Sequence, residues 1–499
     1  MAVIIRHKSH VMSNLVGYES KYYTVDIIIV VYIHSCTTEY PNQNIVEEFN
    51  FIKQRNKGDK LYPPNWEDLD KRPLPVWYDS AKIGIFVVWG VYSVPSVYDE
   101  WFWYFWKGQK IPKYVEFMKK NYRPGFTYPD FASMLTAEFL DTDEWATLFK
   151  SSGAEYVVFT TKHHEGFTMW PSNYSFNWNS MAVGPKRDIV GTLVSSAESN
   201  GITLFCSVDK NLIFKFNPMF LLDKANNFKT QEFVRTKTMP ELYELVNNYK
   251  PDLIWSDGSA RQHSSYWNST EFLAWLYNYS PVRDEVVTND RWGIDTVCKH
   301  GGFLTCSDRF NPGKLQKKKW ENAMTIDKQS WGFRRNAKID EFLTIEELIA
   351  TVVKTVSCGG NILINVAPSY DGTIQPVFQE RLKQMGSWLQ VNSDAIYSSF
   401  PWKYQNDTFT PRVWYTEQQI KTTNAVYAMT LDWPEKYLYL QSPIPVKDKT
   451  FVYLLGTEGQ LGWTASPQGG INITIPYIPY SKMPCRWAWV FRLEGLQNG

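Results

Sequence analysis

A carboxylate at the end of an apolar run is the first candidate for chemistry in this sequence. Asp257 closes the run LIWS at residues 253–256 and precedes Gly258, which lets the backbone turn away. A carboxylate in such a position acts as a nucleophile, holds a metal ion or caps a loop, and Asp-Gly after a strand is also ordinary turn chemistry. Trp255 places an indole beside this carboxylate.

Histidines and an arginine follow two further apolar runs. His163 and His164 come after YVVFTTK at 156–162, and Arg291 comes after VVT at 286–288. Adjacent side chains on a strand point to opposite faces, and no third ligand stands at metal spacing, so we expect no metal ion here. Imidazoles suit hydrogen bonds to a polyhydroxylated ligand, while a structural Asp–Arg pair is the alternative for Arg291.

Aromatic residues are unusually frequent, and several lie beside an acid in the segment YDEWFW at 98–103. Glu100 and Trp101 of this segment fit either a sugar-binding platform or the packing of a loop. The chain has 22 Trp, 30 Tyr and 29 Phe, more flat faces than a core ordinarily needs. Contact with sugar C–H groups is one recurrent use of such an excess, and packing between domains is the other.

Glycoside hydrolysis with retained configuration needs two carboxyl groups about 5–5.5 Å apart. Asp257 is the candidate for the first of them. For the second, the sequence offers Asp308 in CSDRF and Glu321 in KWEN. Sequence spacing does not decide between these two acids.

Short apolar runs alternate with helical patterns between residues 83 and 391, which indicates repeated β/α units. The predicted strands, apolar throughout as doubly buried strands should be, are 83–89, 156–161, 202–208, 253–256, 285–288 and 361–366. The predicted helices are 142–151, 189–199, 239–248, 270–279, 345–358 and 377–391. No G-x-G-x-x-G follows the first strand, so this α/β pattern favours a (β/α)8-like TIM barrel over a doubly wound sheet. Chemistry in such a barrel sits at the C-terminal ends of the strands, where the candidates above lie.

The pattern changes after residue 400. Short strand-like runs recur at roughly ten-residue spacing, which predicts an all-β sandwich. These runs are 414–415, 425–433, 437–440, 451–455, 471–475 and 487–493. We therefore divide the chain into an N-terminal segment at 1–60, a catalytic barrel at 61–399 and a β-sandwich at 400–499.

Charge and hydropathy exclude several classes of partner. With 52 Lys+Arg against 51 Asp+Glu, the formal net charge is +1, so there is no electrostatic case for nucleic acid or an anionic membrane. The apolar run IIIVVYI at 27–33 is far shorter than the ~20 residues of a membrane span. Asp26 abuts this run and the stretch before it is long for an n-region, so we interpret it either as the h-region of a displaced or imperfect signal peptide or as a buried strand.

Cysteines and sequons are compatible with a secretory route. The 6 cysteines lack C-x-x-C spacing, and only Cys298 and Cys306 are close enough for a local disulfide. Sequons of the form N-x-S/T begin at Asn173, Asn268, Asn278, Asn406 and Asn472.

Five long stretches carry a specific resemblance to one enzyme family. They are EWFWYFW at 100–106, YVVFTTKHHEGFTMWPS at 156–172, KPDLIWSDG at 250–258, YWNSTEFLAWLYN at 266–278 and NDRWG at 289–293. From about Tyr62 to Leu496 the chain resembles the lysosomal-type α-L-fucosidases of glycoside hydrolase family 29. The resemblance implies a barrel followed by a β-sandwich, and a retaining enzyme that removes terminal fucose from glycoprotein and glycolipid glycans. It further implies no metal or cofactor and a lysosomal or secreted location, and it leaves homo-oligomerisation open.

The resemblance also assigns residues. It maps the nucleophile onto Asp257 and favours Asp308 as the acid/base, with Glu321 kept as the alternative. The implied fucose contacts are Glu100, Trp101, His163, His164, Trp255 and Arg291.

Two positions depart from the family pattern. Val88 stands in FVVWG where the family has a sugar-binding His, and Ser207-Val208-Asp209 replaces Tyr-His-Ser, followed by KNLI at 210–213. Each lost hydrogen bond to a sugar hydroxyl costs about 0.5–1.5 kcal/mol. The sequence therefore predicts a fucosidase with reduced activity, and the competing hypothesis is an impaired fucose-binding or interaction protein on the same scaffold.

Overall fold

The computed structural model describes residues 61–201, 203–209, 217–258, 262–420 and 423–499. The N-terminal segment 1–60, with its apolar run at 27–33, lies outside the described residues, as does KNLI at 210–213.

Seven parallel strands form one curled sheet. They are β1 (Ile83–Val87), β2 (Tyr156–Lys162), β3 (Thr203–Asp209), β4 (Leu253–Asp257), β5 (Val287–Thr288), β6 (Trp320–Thr325) and β7 (Gly360–Val366). They pair in the order β5-β4-β3-β2-β1-β7-β6. All six neighbouring pairs are parallel, so the strands end at one common edge.

Residues 302–304 bridge the two outer strands of this sheet. The amide of Gly302 donates to the carbonyl of Thr288 at the end of β5 (2.9 Å). The amide of Glu321 in β6 donates to the carbonyl of Leu304 (2.9 Å). The segment thus takes the place of an eighth strand, and the expected barrel-like α/β fold is confirmed.

Helices cover the outside of the sheet. They are α1 (Trp66–Leu69), α2 (Val76–Ala81), α3 (Pro112–Asn121), α4 (Thr142–Ser151), α5 (Ile189–Ser199), α6 (Pro218–Ala225), α7 (Met239–Tyr249), α8 (Ser269–Asn278), α9 (Ile345–Ser357) and α10 (Pro376–Asn392). Each predicted helix is present with ends within one residue of the prediction, and three of them begin at a side-chain cap. Asp141, for example, accepts hydrogen bonds from the amides of Asp143 and Glu144 at the start of α4. Among the described helices, none combines the length and apolarity that a bilayer span requires.

Both faces of β1, β2, β4 and β7 are buried almost throughout, which explains their largely apolar sequences. Alternate residues form one cluster inside the barrel, including Phe86, Val158, Trp255, Ala323 and Leu363. Their chain neighbours, such as Val87, Phe159 and Ile254, belong to a larger cluster between the sheet and the helices.

Two antiparallel sheets form the C-terminal part. Their strands are β8 (Phe400–Asn406), β9 (Val413–Ile420), β10 (Thr423–Thr430), β11 (Tyr437–Leu440), β12 (Phe451–Leu454), β13 (Trp463–Ala465), β14 (Ile471–Thr474) and β15 (Trp489–Glu494). One sheet has the order β12-β15-β10-β9-β8 and the other β11-β14-β13. Apolar side chains from both sheets share one buried cluster, as in a sandwich. Residues 60–499 form one compact unit, and the domain limits predicted at 60/61 and 399/400 stay predictions.

The strands β6, β8 and β13 were not predicted. In β6 the polar residues Glu321 and Asn322 interrupt the apolar pattern, yet both are buried, and each side chain makes at least one hydrogen bond. The amide of Asn322, for instance, donates to Thr355 of α9 (3.1 Å). A buried polar group is stable when it is hydrogen bonded, and such pairing is invisible in the sequence.

Candidate active site

The predicted site residues gather at the C-terminal edge of the barrel strands. Asp257 is the last residue of β4, Arg291 follows β5, and Asp308 follows the bridging segment 302–304. His163 and His164 follow directly after β2. The loop after β1 carries Glu100 and Trp101 to the same edge, because parallel strands end on one side of a barrel.

Arg291 joins the two candidate catalytic carboxylates. Its two terminal nitrogens donate to Asp257 Oδ1 (3.2 Å) and to Asp308 Oδ1 (2.7 Å). Its Nε donates to the hydroxyl of Thr305 (2.9 Å), which fixes the plane of the guanidinium. The guanidinium also lies over the Trp255 ring, with Cζ 4.7 Å from the ring centroid.

The two carboxylates are more exposed to solvent than the arginine between them. The side chains of Asp257 and Asp308 are 32% and 47% exposed, whereas that of Arg291 is 10% exposed. Burial acts to raise the pKa of Asp257, but the Arg291 guanidinium and His164 outweigh it, so the pKa of Asp257 is lowered from 3.8. Burial acts against the charged form of Arg291, yet Asp257 and Asp308 raise its pKa above the usual value. The neighbours of Asp257 therefore favour its ionised form.

A buried carboxylate and a disulfide hold the segment that carries Arg291 and Asp308. Asp290 accepts hydrogen bonds from the amides of Cys298 (2.7 Å) and Cys306 (3.1 Å) and from the hydroxyl of Thr305 (2.6 Å). The Cys298–Cys306 disulfide expected from the spacing is present. Sequence reasoning considered Asp290 only as a structural partner of Arg291, whereas its hydrogen bonds go to Cys298, Thr305 and Cys306. It missed Thr305, which lies between Cys298 and Asp308.

Aromatic and imidazole rings form a second side of the site. The rings of Trp101 and His164 are 4.1 Å apart, and those of His163 and His164 are 4.4 Å apart. Glu165 is 2% exposed and holds His163, with 3.0 Å between Oε2 and Nδ1. The structure thus brings the two predicted histidines together with the predicted tryptophan.

Glu100 contacts the loop after β6. Its Oε2 accepts hydrogen bonds from the hydroxyl of Ser330 (3.0 Å) and from the amides of Trp331 (3.0 Å) and Gly332 (3.1 Å). Three donors on one oxygen fix the position of this carboxylate.

Glu321 lies inside the barrel below this edge. It is fully buried and is the second residue of β6. Its Oε2 accepts from the hydroxyls of Tyr78 and Tyr156 (both 2.8 Å), and its Oε1 accepts from the indole of Trp255 (2.9 Å). Burial is the largest influence on Glu321 and raises its pKa, although the three donors act in the opposite direction.

The two positions that depart from the family pattern lie on, or directly after, strands that end at the site. Val88 is 4% exposed and packs inside the barrel in the same cluster as Phe86 and Trp255. In the strand register, Asp209 at the end of β3 pairs with Asp257 at the end of β4. Among the described residues, no group of three or more His, Cys, Asp or Glu side chains is arranged to hold a metal ion.

Comparison with known families matches nearly the whole described chain. The model for "Alpha-L-fucosidase" matches residues 50–394, and the model for "Alpha-L-fucosidase C-terminal domain" matches residues 405–494. The chain therefore belongs to the α-L-fucosidase family, glycoside hydrolases that remove fucose.

Individual relatives and a solved structure agree with this assignment. The chain is 54% identical over 436 residues to plasma alpha-L-fucosidase of Homo sapiens, covering 87% of this chain and 93% of that protein. It is 50% identical over 445 residues to tissue alpha-L-fucosidase of Homo sapiens, covering 89% of this chain and 94% of that protein. The crystal structure of Thermotoga maritima alpha-fucosidase in complex with fucose superposes with a TM-score of 0.74 at 30% identity. That match covers 87% of this chain and 100% of the Thermotoga chain.

Proposed function

We propose that the protein removes terminal α-L-fucose from glycoprotein and glycolipid glycans by a retaining hydrolysis, with Asp257 as nucleophile and Asp308 as acid/base. The observation that carries this proposal is the Arg291 guanidinium, which donates to both carboxylates. One guanidinium reaches two carboxylates only if they lie close together, and retaining glycosidases need their carboxyls about 5–5.5 Å apart.

Asp257 suits the nucleophile because its pKa is lowered by Arg291 and His164 against the effect of burial. The charged form of this carboxylate, which is the nucleophile, is thereby favoured. In the first step this oxygen attacks the anomeric carbon and forms a glycosyl ester, while Asp308 gives its proton to the departing oxygen. In the second step Asp308 takes a proton from water, which attacks the same carbon and releases fucose with retained configuration.

Asp308 suits the acid/base better than Glu321 does. An acid/base must exchange protons with the leaving group and with water, and the Asp308 side chain is 47% exposed at the strand-end edge. Glu321 is fully buried, and three protein donors occupy its two oxygens. We therefore infer that Glu321 positions Trp255 and is not the acid/base.

We assign sugar binding to the predicted contact residues at this edge and, for Trp255, just inside the barrel below it. They are Glu100, Trp101, His163, His164, Trp255 and Arg291. Indole faces suit the C–H surface of fucose, and imidazole and carboxylate groups suit its hydroxyls.

We further propose a lysosomal or secreted location. The human relatives are named plasma and tissue enzymes. The Cys298–Cys306 disulfide fits an oxidising compartment. Subcellular fractionation of expressing cells tests this, because recovery of the protein only in the cytosol would contradict it. Homo-oligomerisation stays a prediction.

The test of the reaction uses a chromogenic aryl α-L-fucoside. The purified protein should release the aryl group, and Asp257→Asn should lose that activity, since the substitution removes the nucleophilic charge. Azide should partly rescue Asp257→Gly and give a fucosyl azide of inverted anomeric configuration, because the anion attacks from the vacated face. Rescue with retained configuration would contradict the nucleophile assignment.

Substrates with different leaving groups distinguish Asp308 from Glu321 as the acid/base. Substituting Asp308 should harm substrates with basic leaving groups more than activated aryl fucosides, because the acid's help matters most for a basic oxygen. Glu321 variants should lose both reactions in equal proportion. The opposite pattern would transfer the acid/base role to Glu321.

The second candidate function is fucose binding without turnover, and Val88 is the observation that favours it. Its side chain is apolar and buried at a position where the family has a sugar-binding His. Calorimetry with fucose separates the two functions, since binding without turnover of any fucoside would support a binding protein.

A further inference from the structure

The outward face of the three-stranded sheet β11-β14-β13 is unusually aromatic for a solvent-facing surface. Tyr437 is 51% exposed and Phe409, in the loop before β9, is 66% exposed. Tyr439 is partly exposed between them in β11. The opposite face of β11 buries Leu438 and Leu440 in the sandwich core. Exposed aromatic groups of this kind mark a surface that something covers.

Asn472 lies in the middle of this face. It belongs to the central strand β14, where it pairs with Tyr439 on one side and Thr464 on the other. Thr474, two residues along β14, is exposed and pairs with Tyr437. Directly opposed side chains have Cβ atoms about 4.5–5.5 Å apart, so Asn472 and the Tyr439 ring are immediate neighbours.

Tyr439 presents a fixed ring at this position. Its hydroxyl donates to the carbonyl of Gly469 (2.9 Å) and contacts Gln441. Phe409 packs against this ring in a T-shaped arrangement, with centroids 5.0 Å apart and an interplanar angle of 83°. Lys436 lies over the neighbouring Tyr437 ring, 5.4 Å from its centroid. A ring held in this way offers a flat face at little further cost in conformational entropy.

We propose that Asn472 carries an N-linked glycan and that its first sugars lie on the Tyr439 ring, covering this aromatic face. Asn472, Ile473 and Thr474 form an N-x-T sequon. The donor class is a lipid-diphosphate-linked oligosaccharide. The Asn472 amide nitrogen forms a bond to the anomeric carbon and loses a proton, and the bond from that carbon to the diphosphate oxygen breaks, releasing the lipid diphosphate.

The structure distinguishes Asn472 from the sequon at Asn278. Asn278 is 7% exposed and belongs to α8. Its amide donates to the carbonyl of Tyr62 (2.8 Å), and its carbonyl accepts from the amide of Tyr62 (2.9 Å). A sugar on this nitrogen would have to displace the segment at Tyr62, so Asn278 stays unmodified in the folded protein.

The first experiment measures site occupancy. The full chain, preceded by a vector-encoded signal peptide, is collected from the medium and from the protease-protected lumen of mammalian cells. Enzymatic deglycosylation in heavy-oxygen water then marks each formerly glycosylated Asn for mass spectrometry. We expect the mark at Asn472 and its absence at Asn278. An unmarked Asn472 in protein from these compartments overturns the proposal, whatever the activity on aryl fucosides.

The second experiment tests the contact with Tyr439 by a double-mutant cycle. Asn472→Gln should lower the Tm by about 2–4 °C, and the loss should fall to less than half in a Tyr439→Thr background. Tyr477→Thr is the matched control, because Tyr477 is 92% exposed and no sequon pairs with it in the sheet. An equal Tm loss in the wild-type and Tyr439→Thr backgrounds overturns the stacking. If wild-type protein that lacks the glycan elutes as a dimer in size-exclusion chromatography, a second copy of the chain covers this face, and the proposal is overturned as well.

Discussion

Replacing Arg291 by methionine tests the electrostatic core of the site. Arg291 donates to Asp257 and Asp308, and it makes a third hydrogen bond to Thr305. Methionine keeps much of the side-chain volume and its packing on Trp255 but removes the charge. Arg291→Lys is the paired variant, since lysine keeps the charge without the planar fork that reaches two carboxylates.

The expected loss follows from those contacts. A hydrogen bond to a charged group contributes about 1.5–3 kcal/mol, so losing one in the transition state lowers kcat/KM roughly 10- to 150-fold. Arg291→Met loses two such bonds and should exceed this range. Arg291→Lys keeps a cation near both acids and should fall within it.

The pH profile of kcat/KM gives the second readout. Burial raises the pKa of Asp257, and Arg291 is the strongest of the groups that lower it below 3.8. Without the guanidinium the pKa of Asp257 rises, so the acid limb of the profile moves to higher pH in Arg291→Met. The limb should move less in Arg291→Lys, because the charge remains.

Arg309→Met is the matched control, because Arg309 follows Asp308 directly and its guanidinium lies over Trp331, 5.4 Å from the ring centroid. It removes one positive charge beside the site without removing a hydrogen bond to Asp257 or Asp308. An unshifted acid limb in Arg291→Met, or an equal shift in Arg309→Met, would refute the assigned role of Arg291.

Three further substitutions test the surroundings of the site. Glu321→Gln should lower the Tm, because one buried donor loses its acceptor at a cost of about 1–3 kcal/mol. A Tm equal to that of the wild type would contradict this. Glu165→Gln should raise KM more than it lowers kcat, since the carboxylate orients His163 by a 3.0 Å contact. An unchanged KM in steady-state kinetics with an aryl fucoside would contradict this. Val88→His should raise kcat/KM up to about tenfold, or about 1.4 kcal/mol for one recovered hydrogen bond. If Val88→His, combined with Tyr-His-Ser at 207–209, folds normally yet neither binds nor hydrolyses fucosides, the site is not a fucose site.

The periodic elements were readable in the sequence because their determinants are local. Helices such as α4 begin at a cap, Asp141, and carry a 3.6-residue apolar pattern, and both features act within a few residues. The apolar runs that became β1, β2, β4 and β7 were readable for a similar reason, since burial on both faces demands apolar residues at every position.

The candidate site was readable as a set of residues but not as a geometry. Parallel strands bring their C-terminal ends to one edge, so the sequence could place Asp257, His163 and Arg291 on the same side of the barrel. It could not show that Arg291 joins Asp257 to Asp308, because Asp257 ends β4 while Arg291 and Asp308 lie between β5 and β6, and the distances between them depend on how the sheet curls.

The choice between Asp308 and Glu321 is the clearest case that the sequence left open. Asp308 lies in CSDRF and Glu321 in KWEN, and no feature of these short sequences favours one of them as the acid/base. Tertiary structure makes one of them half exposed at the strand ends and the other fully buried under the donors Tyr78, Tyr156 and Trp255. Composition and pattern therefore determined the family of fold and the inventory of reactive groups. Which carboxylate meets solvent depends on contacts between residues tens to hundreds of positions apart, and only the closed barrel creates those contacts.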